Sequence, residues 1–421
     1  MTAELDGRGS AGRLLRTNGQ FARVFGGTTV SLVGTAVAAV SLPLVAVVLG
    51  ASALAVGVIE AAVWTPWLLL GLVAGAWADR YSPRRLIVAA DLVSAVLYAA
   101  VPVLAVTDSL EVWYLVVLAL AAGSSDVISQ AALGVLPPML VRDADLESAN
   151  AALQTAESTA DFLGGPGSSL ATRLFGATGG LGANAVTFLV SAVAVAAAPR
   201  TGRARPPGPE EAGPGLGRQI ADGLRELFGQ PLLRRLALTG AAVNTALTGS
   251  AVLHALFLVR QLGVPAAGVG LLLLGQGAGG VLGAVLAPSV ARRLGAARAI
   301  GVTVSVTFPF ALLTPLAGPG WRLAWFVVGT GVPVMGVVAA NVLGRTLRQR
   351  IAGPGLLGRV AAGSRMLAYS TSPVAALLAG GLATAIGFRA SYLVFAVLLL
   401  LLAVDFAVRP LREAPRAVPG A

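Results

Sequence analysis

Residues 75–86 read GAWADRYSPRRL and place four charged side chains between two long apolar runs, VWTPWLLLGLVA before them and IVAADLVSAVLYAAVPVLAV after them. Each run belongs to an apolar segment of about 20 residues, the length needed to cross a bilayer as a helix. A short charged break between two such segments is typical of a loop between membrane-spanning helices. We therefore expect a membrane protein.

The composition supports this reading along the whole chain. Of 421 residues, 56% are hydrophobic and only 12% are charged, which is more apolar surface than a soluble core could bury. Twelve segments have spanning length, and the fifth is the weakest because it is polar and contains Pro166. The predicted spans are 25–49, 53–78, 86–106, 112–137, 151–172, 180–198, 234–258, 266–290, 298–317, 321–344, 361–386 and 390–408.

The basic residues predict the orientation. All 30 are Arg, and 26 of them fall on the side of the membrane that carries both termini in the twelve-span topology. Because short cytoplasmic loops are enriched in basic residues, we predict that both termini lie in the cytoplasm and that the protein resides in the plasma membrane. Topology thus explains the net charge of +11, and no nucleic-acid partner is expected.

Two stretches are repeated at nearly the same offset. ADRYSPRRLIV is followed 212 positions later by VARRLGAARAIG, and VRDADLESANAALQ is followed about 211 positions later by RIAGPGLLGRVAAGS. A shared offset indicates duplication of a six-helix unit. We predict an all-α membrane protein with twelve transmembrane helices in two pseudo-symmetric six-helix bundles around a central cavity. The predicted divisions are a cytoplasmic arm (1–24), an N-terminal bundle (25–198), a cytoplasmic linker (199–233), a C-terminal bundle (234–408) and a cytoplasmic tail (409–421).

The linker is rich in Pro, Gly and charge. Its segment GRQIADGLRELF, residues 217–228, has helical spacing. It is expected either to lie on the membrane surface as an amphipathic helix or to be a solvated connector.

With these features the sequence resembles the major facilitator superfamily. The most specific match is the opening stretch, which is similar to the loop motif between helices two and three of that superfamily. LPPMLVRDADLESANAALQTAES and LRQRIAGPGLLGRVAAGSRM further resemble the branch of enterobactin exporters and drug-efflux proteins. The resemblance implies proton-coupled efflux of a small organic molecule by alternating access. Two departures count against antiport: the GGPGSSL of helix five lacks the paired glycines of the antiporter motif, and helix four has no Arg.

The charged stretch is predicted to act as a latch that holds the cytoplasmic side closed. Asp79 is expected to face a helix N-terminus or an Arg across the junction between the halves, and Asp91 to pair with the Arg cluster two helical turns before it. The second half has Ala291 where the first has Asp79, so only one full latch is expected. The predicted latch residues are Gly75, Asp79, Arg80, Arg84, Arg85 and Asp91.

Ionisable residues inside spans are the candidates for a proton or substrate site, because an unpaired charge there is costly. Asp126 in helix four is the first choice, with Ser129 and Gln130 on the same helical face; the alternative is a structural hydrogen bond. Glu157 and Asp161 could form a proton site or pair with Arg365. The cavity candidates are Asp126, Ser129, Gln130, Glu157, Asp161, Asn244 and Thr35.

Four further side chains carry two readings each. Glu60 and His254 are expected at the membrane interface, with a cavity-mouth or titrating role as the alternative. Trp64 and Tyr369 could stack on an aromatic substrate or serve packing alone.

Other functional classes are disfavoured. GQGAGG at 275–280 lies inside a span and lacks the strand that a dinucleotide site requires, and the absence of Lys excludes a phosphate-binding GK[ST] loop. We predict no enzyme activity, no cofactor and no metal. The predicted partners are a small-molecule substrate, a proton as coupling ion and the lipid bilayer, and the protein is expected to function as a monomer. The alternatives are an importer or facilitator of the same fold, or a nontransporting receptor or scaffold.

Overall fold

The computed structural model describes residues 12–142, 145–198, 225, 228–351 and 367–411, except for the side chains of residues 72, 76, 79, 138, 147 and 345–351. Throughout these residues the regular structure is helical and contains no β-strand. Several predictions fall outside them: the start of the N-terminal arm, most of the linker with its amphipathic segment, Arg365 and the end of the tail.

The first half of the chain forms six long helices. They are α1 (Gly19–Val48), α2 (Ala53–Arg80), α3 (Pro83–Val106), α4 (Val112–Val135), α5 (Leu146–Phe175) and α6 (Gly179–Ala197). Their starts follow ordinary capping rules, since the side chains of Asn18 and Ser52 accept backbone N–H groups at the starts of α1 and α2. Pro83 occupies the first turn of α3, where its missing N–H costs nothing.

The second half repeats this arrangement. Its helices are α7 (Pro231–Leu256), α8 (Ala266–Leu294), α9 (Ala296–Thr307), α10 (Leu323–Ile351), α11 (Ser372–Ile386) and α12 (Phe388–Val408). A π-helical turn extends α7 through Gln261, and a 3₁₀ segment extends α9 through Leu316. The twelve long helices of the described residues, in two sets of six, confirm the predicted fold class.

Helix α5 is the exception in hydropathy. By length and composition, eleven of the described helical segments could cross a membrane, and α5 is not among them. It nevertheless runs unbroken through Pro166 and packs against α1, α6 and α8. Neighbouring helices therefore accommodate a span that its own sequence marks as weak.

The packing of the two halves is related by a pseudo-two-fold axis. Within the first half α1 packs on α5 and α6, α2 on α4, and α3 on α4 and α6; the second half has the corresponding pairs among α7–α12. Between the halves, α2 packs on α11 and α5 on α8. These two junctions exchange under the same symmetry, as expected for a duplicated six-helix unit.

Both junctions are tight at one face of the molecule. We call the face that carries residues 12 and 411 the terminal face, and the opposite one, where α2 begins, the far face. A Cβ on Gly57 would lie 2.6 Å from the carbonyl oxygen of Ala376, and one on Gly165 2.6 Å from that of Gly270. Only glycine permits such backbone contact. The halves therefore touch closely toward the far face.

Toward the terminal face the same helix has free space. A Cβ on Gly71 or on Gly75, both in the last third of α2, would have no neighbouring atom within 4 Å. The terminal half of α5 presents Gln154, Glu157 and Asp161 as exposed side chains. The described residues thus show two helical bundles that are in close contact at the far face and separated toward the terminal face.

Candidate functional site

A small polar cavity lies inside the first bundle. It has a volume of about 30 Å³, room for one or two water-sized molecules, and its lining comes from α1, α3, α4 and α6. Four predicted candidates meet there: Thr35, Asp126, Ser129 and Gln130. Gln130 interacts with the Asp126 carboxyl, as the helical spacing predicted. We call this cavity, with Asp91 and Asp126 in its wall, the two-aspartate pocket.

Asp91 joins this pocket instead of the Arg cluster. Its side chain is buried, interacts with Ser191 of α6 and lines the same cavity as Asp126. The expected ion pair with Arg84 or Arg85 is not formed among the described residues. Arg84 instead donates a hydrogen bond of 2.6 Å to the carbonyl of Ala198 at the end of α6. The interaction of Asp91 with Ser191, a hundred residues away along the chain, thus replaces the ion pair with Arg84 or Arg85 that the spacing predicted.

The pocket has unfilled hydrogen-bonding capacity. In the described part of the chain, Oδ2 of Asp91 and Oγ1 of Thr28 are buried without a hydrogen-bond partner. Both residues line the pocket. Because buried polar atoms are rarely left unpaired, the cavity is suited to a small polar guest such as water.

The remaining latch residues surround the open end of α2. Arg80 and Arg85 are exposed, and Gly75 has no close neighbour on the side where a Cβ would point. The side chain of Asp79 is outside the description. The exposure of these residues agrees with a structure in which the two halves are separated at the terminal face. The latch itself stays a prediction.

Glu157 and Asp161 do not reach the two-aspartate pocket. They are exposed on α5, and Gln154 donates a hydrogen bond of 3.0 Å to the Glu157 carboxylate. Asp161 lies one helical turn from Gly165, on the terminal side of the α5–α8 contact. Asp126 thus lies inside the bundle, whereas Glu157 and Asp161 are exposed on α5, with Glu157 near enough to Asp126 to interact with it electrostatically.

Asn244 ties two helices together. Its Nδ2 group donates hydrogen bonds of 2.7 Å to the carbonyl of Ala368 and to Oγ of Ser372. These bonds join α7 to the start of α11. Asn244 therefore has the structural partners that polar residues in helix packing usually find.

His254 is buried, not interfacial. Gln276 of α8 contacts its Nε2 at 2.7 Å, its Nδ1 interacts with the backbone oxygen of Ser250, and its ring packs against Phe326 and Tyr392. No sequence pattern predicted this network, because Gln276 lies inside the glycine-rich stretch that was rejected as a nucleotide-binding motif. Gly275 of that stretch packs on the backbone of α10, as close helix contact requires.

Trp64 and Trp67 of α2 form a cluster with Tyr369 at the approach to α11. The ring centroids lie 5.4 Å apart for Trp64 and Tyr369, and 5.2 Å apart for Trp67 and Tyr369. These are ordinary distances for interacting aromatic rings. Sequence reasoning singled out two members of the cluster and missed Trp67.

Solved structures share this fold. The nucleoside transporter NupG superposes with a TM-score of 0.75 at 11% identity, covering 92% of this chain and 98% of that one. A bacterial homologue of the iron transporter ferroportin in an inward-facing state gives a TM-score of 0.68 at 18% identity, covering 92% and 98%. At such identities the likeness concerns the fold alone.

Sequence relatives are more specific. The multidrug efflux pump Tap of Mycolicibacterium fortuitum is 29% identical over 375 residues, which cover 86% of this chain and 88% of that protein. Tap of Mycobacterium tuberculosis is 30% identical over 349 residues, 81% of each. The family model of the Major Facilitator Superfamily matches residues 24–370. The chain therefore belongs to the Major Facilitator Superfamily, a family of multi-pass membrane transporters.

Proposed function

We propose that this transporter exports small organic molecules from the cell in exchange for protons, by alternating access with the terminal face in the cytoplasm. The observation that carries the proposal is the arrangement of the two halves. Paired glycine contacts close the far face at α2–α11 and α5–α8, whereas a Cβ on Gly71 or Gly75 of α2 would meet no atom within 4 Å toward the terminal face. Two bundles related by symmetry can rock about such junctions and expose a site to each side in turn.

Export is favoured over import by the efflux pumps among the sequence relatives. The arginine-rich terminal face is assigned to the cytoplasm by the charge rule. An importer of the same fold would show the opposite direction of substrate accumulation, and a receptor or scaffold would show no flux under any gradient.

Proton coupling is assigned to Asp126. An ionisable residue within a span is retained where it has a function, and Asp126 lines a pocket rich in hydroxyl groups. Each hydroxyl both donates and accepts hydrogen bonds, so the pocket can serve either protonation state of a carboxyl.

The test is drug uptake into inside-out vesicles under an imposed proton gradient, with a protonophore control and a panel of cationic, zwitterionic and neutral drugs. We expect gradient-driven uptake by the wild type, loss of that uptake in Asp126→Asn, and normal uptake in Asp108→Asn. Asp108 is an exposed loop residue with a positive φ of 52° that Asn also adopts. Full gradient-driven uptake by Asp126→Asn would remove Asp126 from the coupling role.

A further inference from the structure

A stripe of α2 combines a carboxylate with aromatic rings. Gly57, Glu60, Trp64 and Trp67 follow helical spacing and share one face of the helix. The direction of that face is fixed at both ends: Gly57 touches α11 at Ala376, and both Trp rings contact Tyr369. Glu60 lies between these contacts, so it faces the junction between the halves.

Glu60 is deep in the span, and within the described part of the chain no counter-charge contacts it. It follows the start of α2 by seven residues, a rise of about 10 Å, so it lies within the span instead of at the expected interface. No hydrogen bond or ion pair of Glu60 is found among the described residues. It is one turn nearer the terminal face than the Gly57 contact, at the closed end of the space between the halves. A carboxyl group there is neutralised either by taking up a proton or by a positive group from elsewhere.

The opposite junction repeats this placement. Asp161 is one turn nearer the terminal face than the Gly165 contact, and it is exposed. Two helices of the first half, α2 and α5, therefore each place one carboxylate directly below a closed contact with the second half. Every Arg of the described residues lies within about two turns of a helix end or in a loop, and the chain has no Lys. As far as the described residues show, the middle of the space between the halves therefore carries carboxyl groups and no Arg.

We propose that Glu60, Trp64, Trp67 and Tyr369, which we call the α2–α11 aromatic wall, bind the charged and flat parts of an organic cation, and that organic cations are the transported substrates. The aromatic faces attract a cation through their ring electrons and stack on its apolar body, while Glu60 neutralises its charge. This inference rests on the proposed export function and specifies its substrate class.

The composition of the wall separates an organic cation from smaller ones. A proton has no need of three aromatic rings, and a metal ion needs several oxygen or nitrogen ligands. Within the described chain, no group of three or more His, Cys, Asp or Glu residues could hold a metal ion. A cluster of aromatic rings on the same helical face as a single carboxylate fits a lipophilic organic cation best.

The experiment measures equilibrium binding of tetraphenylphosphonium to the purified full-length transporter in nanodiscs, with tetraphenylborate as a probe of the same shape and opposite charge. We expect the wild type to bind the cation and not the anion. Glu60→Gln should weaken cation binding by roughly tenfold or more, because it removes the charge and keeps the shape. Trp64→Ala should weaken it as well.

The matched controls are Glu111→Gln and Trp113→Ala. Both residues are exposed, Glu111 in the far-face loop and Trp113 at the adjoining start of α4, and they are expected to leave binding unchanged. If Trp64→Ala fails to fold, the near-isosteric Glu60→Gln still decides the question. Unchanged cation binding by a folded Glu60→Gln, or equal binding of both probes by the wild type, would overturn the inference.

Binding and flux separate the two proposals. Gradient-driven uptake of a neutral drug without binding of tetraphenylphosphonium would overturn the substrate class and leave the export function standing. Binding that depends on Glu60, with no drug moved under any gradient, would support the site and overturn export.

Discussion

Adding one methyl group at the far-face contact should shift the conformational equilibrium. A Cβ on Gly380 of α11 would lie 2.7 Å from the carbonyl oxygen of Ala53 and 2.9 Å from the Cα of Leu54. Both neighbours are backbone atoms that cannot rotate away. Gly380→Ala therefore forces α2 and α11 apart by about 0.7 Å to restore an ordinary 3.4 Å contact. We expect the far-face-open state to gain population.

The size of the shift follows from the cost of overpacking. Inserting a methyl group into a tight contact costs about 1–3 kcal/mol. At 1.4 kcal/mol per factor of ten, the closed state loses about 5-fold to 150-fold in relative population. Replacing a helical Gly by Ala also favours the helix by about 1 kcal/mol, but both conformations keep the helix, so this gain cancels.

The neighbouring residue supplies the control. A Cβ on Gly381 would meet no atom within 4 Å, so Gly381→Ala makes the same chemical change on the same helix without the clash. The chain has no Cys, so spin labels can be attached at cysteines introduced at Ser52 and Ile386, at the far ends of α2 and α11. Gly380→Ala should lengthen the distance between the two spin labels, as measured by pulsed electron–electron double resonance, and Gly381→Ala should not. Identical distributions in both variants would refute the reasoning.

Two further predictions concern the terminal face and the first bundle. Gly75→Ala introduces no clash in the far-face-closed state, because a Cβ there would meet no atom within 4 Å. If Gly75 lets the helices approach when the terminal face closes, the added methyl group should hinder that closure and favour the far-face-closed state. A longer distance between the same two labels would contradict this. Asp91→Asn keeps the shape of the side chain but removes a buried charge that has no ion-pair partner among the described residues. The free energy of unfolding should rise by about 1–3 kcal/mol, seen as a higher midpoint of thermal unfolding in detergent. A lower midpoint would show that the surrounding groups compensate the charge.

The local sequence predicted what depends on length and hydropathy. Segments of spanning length, charged breaks and a repeat offset near 212 were sufficient for twelve helices in two related bundles. The grouping of Asp126 with Gln130 also followed, because residues four apart on a helix share a face. Even the weak fifth span was placed correctly, although its own hydropathy is too low for a membrane helix.

The partners of the buried polar residues were decided by the tertiary structure. Spacing along α3 suggested an Arg partner for Asp91, but α6 brings Ser191 beside it from a hundred residues away. In the same way, His254 found Gln276 on another helix. Such contacts depend on how helices are rotated and packed, which the period of a single helix does not encode.

The sequence by itself therefore determined the number of spans, their duplication and the uneven distribution of Arg, because membrane thickness and charge act on each segment separately. Only the tertiary structure decided which junctions are closed and that the face of α2 with Glu60, Trp64 and Trp67 is turned toward α11. Those features arise where α2 of one half meets α11 of the other, and no segment specifies such a junction alone.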